Sequence, residues 1–225
     1  MRITAFRLAA ALVAGLSTAA SASTLDIPFS IGQGNSNAHF NIDQNNEAGN
    51  DIEIGIKAKV RYAEDIVPFA NIYSTVIGES DPGLALWNID WSVDLGTGTI
   101  EDYDVYLTVD FNPEIGNADV STFLLDGTPF LLPDQSVNQQ SQNLGFGFWA
   151  LAPNYQSFDP SAPGQYEIGL SVYEDGADTK ADPALASVQA YVYVAPIPLP
   201  PSLALGVLGL GALVLATRRA RRNRG

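Results

Sequence analysis

Twenty-five acidic side chains, one histidine and no cysteine set the chemistry open to this 225-residue chain. Without cysteine there is no thiolate nucleophile, no disulfide, no Cys-ligated zinc and no iron–sulfur centre. A lone histidine excludes multi-histidine metal sites. His39 lies in AHFNI, where a strand histidine bonded to a neighbour or facing water is the ordinary expectation. No GxSxG elbow, HExxH pair or phosphate-binding glycine loop is present, and nothing singles out one serine as a nucleophile. No catalytic residue is nominated, and the chain is not expected to be an enzyme.

The carboxylates have a different use. Calcium takes six to eight oxygens, best supplied by acids interleaved with backbone carbonyls in a loop. Glu101, Asp102 and Asp104 (EDYD) form one such group. Glu174, Asp175 and Asp178 (EDGAD) form a second around a glycine, with Asp182 close enough to join. Asp43, Glu47 and Asp51 form a looser third. None has EF-hand order, and a solvated acidic loop is the plain alternative. Glycosidase chemistry needs two carboxylates about 5–9.5 Å apart, but among 25 acids some pair will always meet that distance. Flat rings stack on sugar faces, so the aromatics raise a glycan-binding alternative. Trp87 and Trp91 fall on an apolar strand face and are expected in the core. Tyr191 and Tyr193 fall opposite Val192 and Val194 and are the better glycan candidates.

Charge is distributed unevenly. Arg2 and Arg7 stand near the start, and Arg218, Arg219, Arg221, Arg222 and Arg224 near the end. Residues 23–194 keep only Lys57, Lys59, Arg61 and Lys180 against all 25 acids, a formal charge of about −21. Such a surface repels phosphate backbones, so nucleic acid is not an expected partner. It attracts divalent cations or basic surfaces, and it also keeps a secreted protein soluble. The cluster Lys57, Lys59 and Arg61 either docks an acidic loop or faces water.

Both ends read as targeting segments. Behind Arg2 and Arg7 comes the short apolar run LAAALVAGL, then Ala20 and Ala22 in a small-x-small pattern, placing the mature start at Ser23. Residues 1–22 are thus expected to be a signal peptide, handled by the Sec translocon and signal peptidase. Near the other end, Pro196, Pro198, Pro200 and Pro201 delay any helix to residues 202–217. Sixteen helical residues span about 24 Å at ~1.5 Å each, short of a ~30 Å hydrocarbon core. Ile197 and Leu199 lengthen the apolar run, and the arginines can snorkel. The arginine-rich residues 218–225 make a positive-inside flank, placing the C-terminus in the cytoplasm and the body outside.

This three-part ending (Val194-Ala195-Pro196-Ile197-Pro198-Leu199-Pro200-Pro201, a Gly/Leu-rich helix, then Arg218, Arg219, Arg221 and Arg222) resembles the C-terminal sorting signals called PEP-CTERM, in particular the VPLPA-type variant. Ile197-Pro198-Leu199-Pro200 is the best match, with Pro201 where that pattern often has alanine. The resemblance implies recognition by an exosortase-type membrane enzyme in a Gram-negative bacterium and cleavage near residues 195–201. Release, or transfer to the cell surface or an exopolysaccharide matrix, would follow. It covers the C-terminal ending alone and is silent on the body.

The body must position whatever chemistry exists, and its pattern is β. Period-two alternation runs through residues 25–29, DIEIGIKAKVRY, LWNIDWSVDL, DVYLTVDF, YEIGLSVY and 188–194. Shorter candidates are 38–42, 71–77, 121–125 and 145–150. Turn-rich stretches separate them, and 126–143 is the longest expected loop. One wet and one dry face per strand predicts an antiparallel β-sandwich over residues 23–194, jelly-roll or immunoglobulin-like, with eight to ten strands. The expected function is an exported structural protein of the cell surface or extracellular matrix. The alternative is a carbohydrate-binding module for exopolysaccharide, with calcium fixing its loops.

Overall fold

The computed structural model describes residues 23–31, 36–45, 51–114, 120–125, 136–151, 155 and 158–196. The expected signal peptide, the 202–217 helix and the arginine-rich tail lie outside them. Among the described residues no helix is long and apolar enough to cross a membrane.

The described chain is all-β. Its strands are β1 (Asn41–Asn45), β2 (Ile52–Val60), β3 (Ile72–Val76), β4 (Glu79–Asp81), β5 (Leu84–Ala85), β6 (Trp87–Asp94), β7 (Tyr103–Asp110), β8 (Val120–Leu124), β9 (Val137–Gln142), β10 (Gly164–Glu174) and β11 (Ala186–Ala195). One sheet runs β1-β2-β6-β9, entirely antiparallel. The other runs β3-β11-β10-β7-β8, antiparallel except where β3 lies parallel to β11. β4 and β5 form a small separate hairpin. The strongly alternating segments become the long strands, because a strand with one apolar face gains most by laying it on another such face. Ile52, Ile54, Ile56, Trp87, Ile89, Trp91 and Val93 from the first sheet share one core with Val105, Leu107, Val109, Ile168, Leu170, Val172, Val188, Val192 and Val194 from the second. Trp87 and Trp91 are buried in it, as expected. Residues 71–77 and 121–125 supply β3 and β8 to within a residue or two.

Five expectations need correction. Residues 25–29 are not a strand but an irregular strap tied to the body by the Ser23–Phe40 bridge. Its backbone donors go to side chains: Asp26 N to Glu53, Phe29 N to Asn37 Oδ1 at 2.6 Å. The strand expected at 38–42 starts at Asn41, because Ala38 and His39 turn, with His39 at φ 67°. Residues 145–150 give no strand. Gly147–Leu151 is a 3-10 turn, anchored where the Asn143 carbonyl accepts from Phe146 N at 3.0 Å and Trp149 Nε1 at 2.9 Å. The expected loop at 126–143 ends in β9, a polar strand (VNQQSQ) paired with β6. Tyr62, placed by pattern on the apolar side of β2, lies beyond the strand end at φ 60° and is largely exposed.

The sharpest departure concerns the face of β2 and β6 expected to be wet. Glu53, Lys57 and Lys59 of β2 are buried, as are Asn88, Asp90 and Ser92 of β6. Leu25, Phe29 and Phe40 form a second small core on this side, with Ile42 packed against it. Gly55 makes the seat. A Cβ there would stand 2.7 Å from Leu25 Cδ2 and 3.2 Å from Phe40 Cδ1, so the strap approaches β2 backbone directly. Asn37 fastens the strap by donating to Ile27 O at 3.3 Å, and Gln139 Oε1 accepts from Ser30 N at 3.0 Å. Gly55→Val should crowd this seat and cost about 1–3 kcal/mol in urea unfolding of the full chain. Lys59→Met, which strands the Asp90 carboxylate, should cost more, about 3–5 kcal/mol.

Candidate functional site

Beneath the strap the buried charges are arranged in pairs. Lys59 Nζ lies 3.1 Å from Asp90 Oδ2. Lys57 Nζ donates to Ser36 O at 2.7 Å, lies 3.4 Å from Asp65 Oδ1, and stands 4.6 Å from the Phe40 ring centroid. The basic cluster therefore docks acidic partners, two of its three members out of water. Burial pushes the Asp90 carboxyl up from its ordinary value, and Lys59 pulls it partly back. Burial pulls the Lys57 amine down, opposed by Asp65 and Asp90.

A polar chain continues from this pair. Asn143 Nδ2 donates to Asn88 Oδ1 at 2.9 Å, and Asn88 Nδ2 donates to Ser141 Oγ at 3.2 Å, with Ser141 set opposite Asp90 in the β6–β9 register. Asn143 is fully buried and also accepts from Ala85 N and Gly145 N at 3.0 Å, joining β5, β6, β9 and the 3-10 turn. Sequence reasoning passed over it inside an expected loop; its only signal was a lone asparagine ending a polar strand.

The first two acidic groups, about 70 positions apart, meet through the β7–β10 register, which sets Tyr103 opposite Glu174 and Asp104 opposite Tyr173. Asp104 Oδ2 accepts from Gly176 N at 3.1 Å, and Asp102 O accepts from Asp175 N at 3.2 Å. Their carboxylates mostly tie their own turns. Asp102 Oδ2 accepts from Thr99 N at 2.9 Å, and Asp182 Oδ2 accepts from Asp178 N at 2.9 Å. Glu101 is exposed beside them. Glu174, Asp175 and Asp182 line an open hollow of about 370 Å³ with Gly176, Ala177 and Leu185. Among the described residues no three His, Cys, Asp or Glu side chains gather as a metal would need. In the third group Asp43 Oδ2 accepts from Ser187 N at 2.7 Å, joining the two sheets, and Glu47 lies outside the described residues.

Tyr191 and Tyr193 point outward from β11, Tyr193 with 44% of its surface exposed. Tyr106 and Tyr173 share that outer face and meet edge to face with centroids 5.7 Å apart. Tyr191 Oη donates to Gln189 Oε1 at 2.9 Å, and Gln189 donates to Glu167. Burial and Glu167 push the Tyr191 phenol up. His39 sits in the turn before β1 and serves through its carbonyl, which accepts from the buried Tyr73 hydroxyl at 2.7 Å. Of the sorting motif, Pro196 is described and exposed; Ile197, Pro198, Leu199, Pro200 and Pro201 lie outside the described residues. No family model matches this chain, and no curated protein matches it.

Glu53 supplies the cleanest pH test. Burial holds its carboxyl above the ordinary glutamate value, against the hydrogen bonds from Gln44 and the Asp26 backbone. A folded-state value raised above the unfolded one means the folded chain binds the extra proton, so stability is lost as pH climbs from about 4.5 through the folded value. Glu53→Gln keeps the acceptor without the titration. Measured by urea unfolding, it should gain on the parent between pH 4 and pH 7.

Proposed function

We propose that this chain is an exported structural protein of the cell surface or extracellular matrix, without catalytic activity. It would be sorted by its C-terminal signal and carry a β-sandwich of jelly-roll or immunoglobulin-like kind between two processed ends. One observation supports it above the rest: among the described residues, the carboxyl and amine groups displaced in their titration, Glu53, Lys57 and Asp90, are buried on the strap side of the first sheet. Displaced groups that converge in an open cleft argue for catalysis; these hold two layers together.

The route follows from the ends. Residues 1–22 direct export through the Sec translocon and are removed by signal peptidase. Residues 202–217 hold the chain as a single pass with a cytoplasmic C-terminus. An exosortase-like enzyme then acts near residues 195–201 and passes the body to the surface or the matrix. Expression of the full gene in a Gram-negative host with an exosortase-type enzyme, followed by intact-mass measurement, should give a start at Ser23 and an end within the proline motif. An unprocessed C-terminus there, the same as in a host without the enzyme, would overturn the sorting route.

A carbohydrate-binding module for exopolysaccharide is the second reading, favoured by the outward Tyr191 and Tyr193 on a face that also carries Tyr106 and Tyr173. Calcium is the cation that would fix the acidic loops in this reading. Polysaccharide retention should then fall at least tenfold in Tyr191→Ala and Tyr193→Ala. Millimolar calcium should raise the melting point beyond sodium of equal ionic strength.

A further inference from the structure

Against the charged layer lies a second hollow, of about 300 Å³, lined by Ile31, Lys59, Arg61, Tyr62, Asn88, Ser141 and Phe146. That volume is at the small end of the range for small-molecule sites. We infer that it binds a small carboxylate bearing hydroxyl groups, with a sugar acid as the type.

Charge makes the first selection. The body carries four basic side chains against 25 acidic ones, and two of those four line this one hollow. Lys59 is matched by the buried Asp90 at 3.1 Å, so its charge is balanced within the protein. Arg61 is matched less closely. Its guanidinium lies 3.7 Å from Asp81 Oδ2, an exposed carboxylate beyond hydrogen-bonding reach. It donates to Ser80 Oγ at 3.4 Å and to Tyr62 Oη at 3.3 Å. Both bonds are long, and a guanidinium offers five N–H groups in a fork that suits a carboxylate. A ligand carboxylate would take the place beside Arg61 that Asp81 holds only loosely.

The remaining lining selects what accompanies the carboxylate. Asn88 and Ser141 present amide and hydroxyl groups whose orientation is set by the chain from Asn143 through Asn88 to Ser141. They are suited to hydroxyl partners. Tyr62 and Phe146 add aromatic surface, and Tyr62 is held at a positive φ with its ring centroid 5.3 Å from the Arg61 carbon. That conformation is uncommon for a bulky residue. A cation would meet Arg61 and Lys59. A neutral sugar would forgo the charge-assisted bonds, which are about twice as strong as neutral ones. The negative field around the body does not forbid an anion here, because exposed charges beyond about 8 Å are largely screened at physiological salt. The site is on the first sheet, away from the outward tyrosines, and depends on neither the export route nor the glycan-binding alternative.

The test is titration calorimetry on the full chain in a detergent without a sugar headgroup, at physiological salt, with glucuronate, glucose and acetate as probes. Glucuronate is expected to bind in the millimolar range, with glucose and acetate each at least tenfold weaker. Arg61→Gln should weaken glucuronate at least tenfold, while Lys180→Gln, the same charge change on an exposed loop, should leave it within twofold. Because Arg61 also holds Ser80, Asp81→Asn gives an independent arm. Removal of the competing carboxylate from an exposed position should tighten glucuronate severalfold with no fall in melting point. Equal affinity for glucose and glucuronate, no heat at roughly 50 mM glucuronate (well above the millimolar dissociation constant expected), or unchanged binding in Asp81→Asn would each overturn the proposal.

Discussion

Two lysines and an aspartate removed from water on the outer face of a β-sheet impose the main constraint on this molecule. A charge taken out of water is costly unless it is paired. Lys59 and Asp90 pair across β2 and β6, and Lys57 reaches Ser36 O and Asp65. These contacts require the strap and the loop after β2 to lie where they do. Leu25, Phe29 and Phe40 give the cover its apolar component. The first sheet is therefore buried on both sides, one apolar and one mixed, while the second sheet keeps a polar face with tyrosines.

The long strands were legible because their alternation is strict. β2, β6, β7, β10 and β11 all follow from apolar residues two apart, and the shared core follows from their facing sides. The burial of Lys57, Lys59 and Asp90 was not legible. A charged residue on alternate positions signals water unless something covers it, and the cover is a segment whose three anchoring apolar residues are spread over 16 positions. β9 was hidden for a related reason: VNQQSQ has no apolar face, and its amides bond to neighbours such as Trp91, Ser92 and Pro28 O instead. Strand pattern reads burial well only when burial is apolar.

Site legibility divides in the same way. The outward placement of Tyr191 and Tyr193 followed from strand parity. The meeting of the 101–104 and 174–178 groups did not, because only the β7–β10 register brings them together. Once there, the acids accept backbone N–H groups from their own and neighbouring turns, a common use of short polar side chains in loops. Asn143 shows the reverse case. One unremarked residue at a strand end carries more buried hydrogen bonds than any residue chosen for its chemistry.

The parallel pairing of β3 with β11 has a kinetic meaning. It sets Tyr191 beside Ile72 and Val194 beside Thr75, partners separated by almost 120 positions. β10 likewise depends on β11 for one of its two neighbours. Pairings this distant require a large loop to close before any contact forms, so they slow folding. The second sheet cannot close until nearly the whole body has emerged from the ribosome. β3 must wait for its partner through most of the body's synthesis, while the first sheet, complete at Gln142, can form earlier.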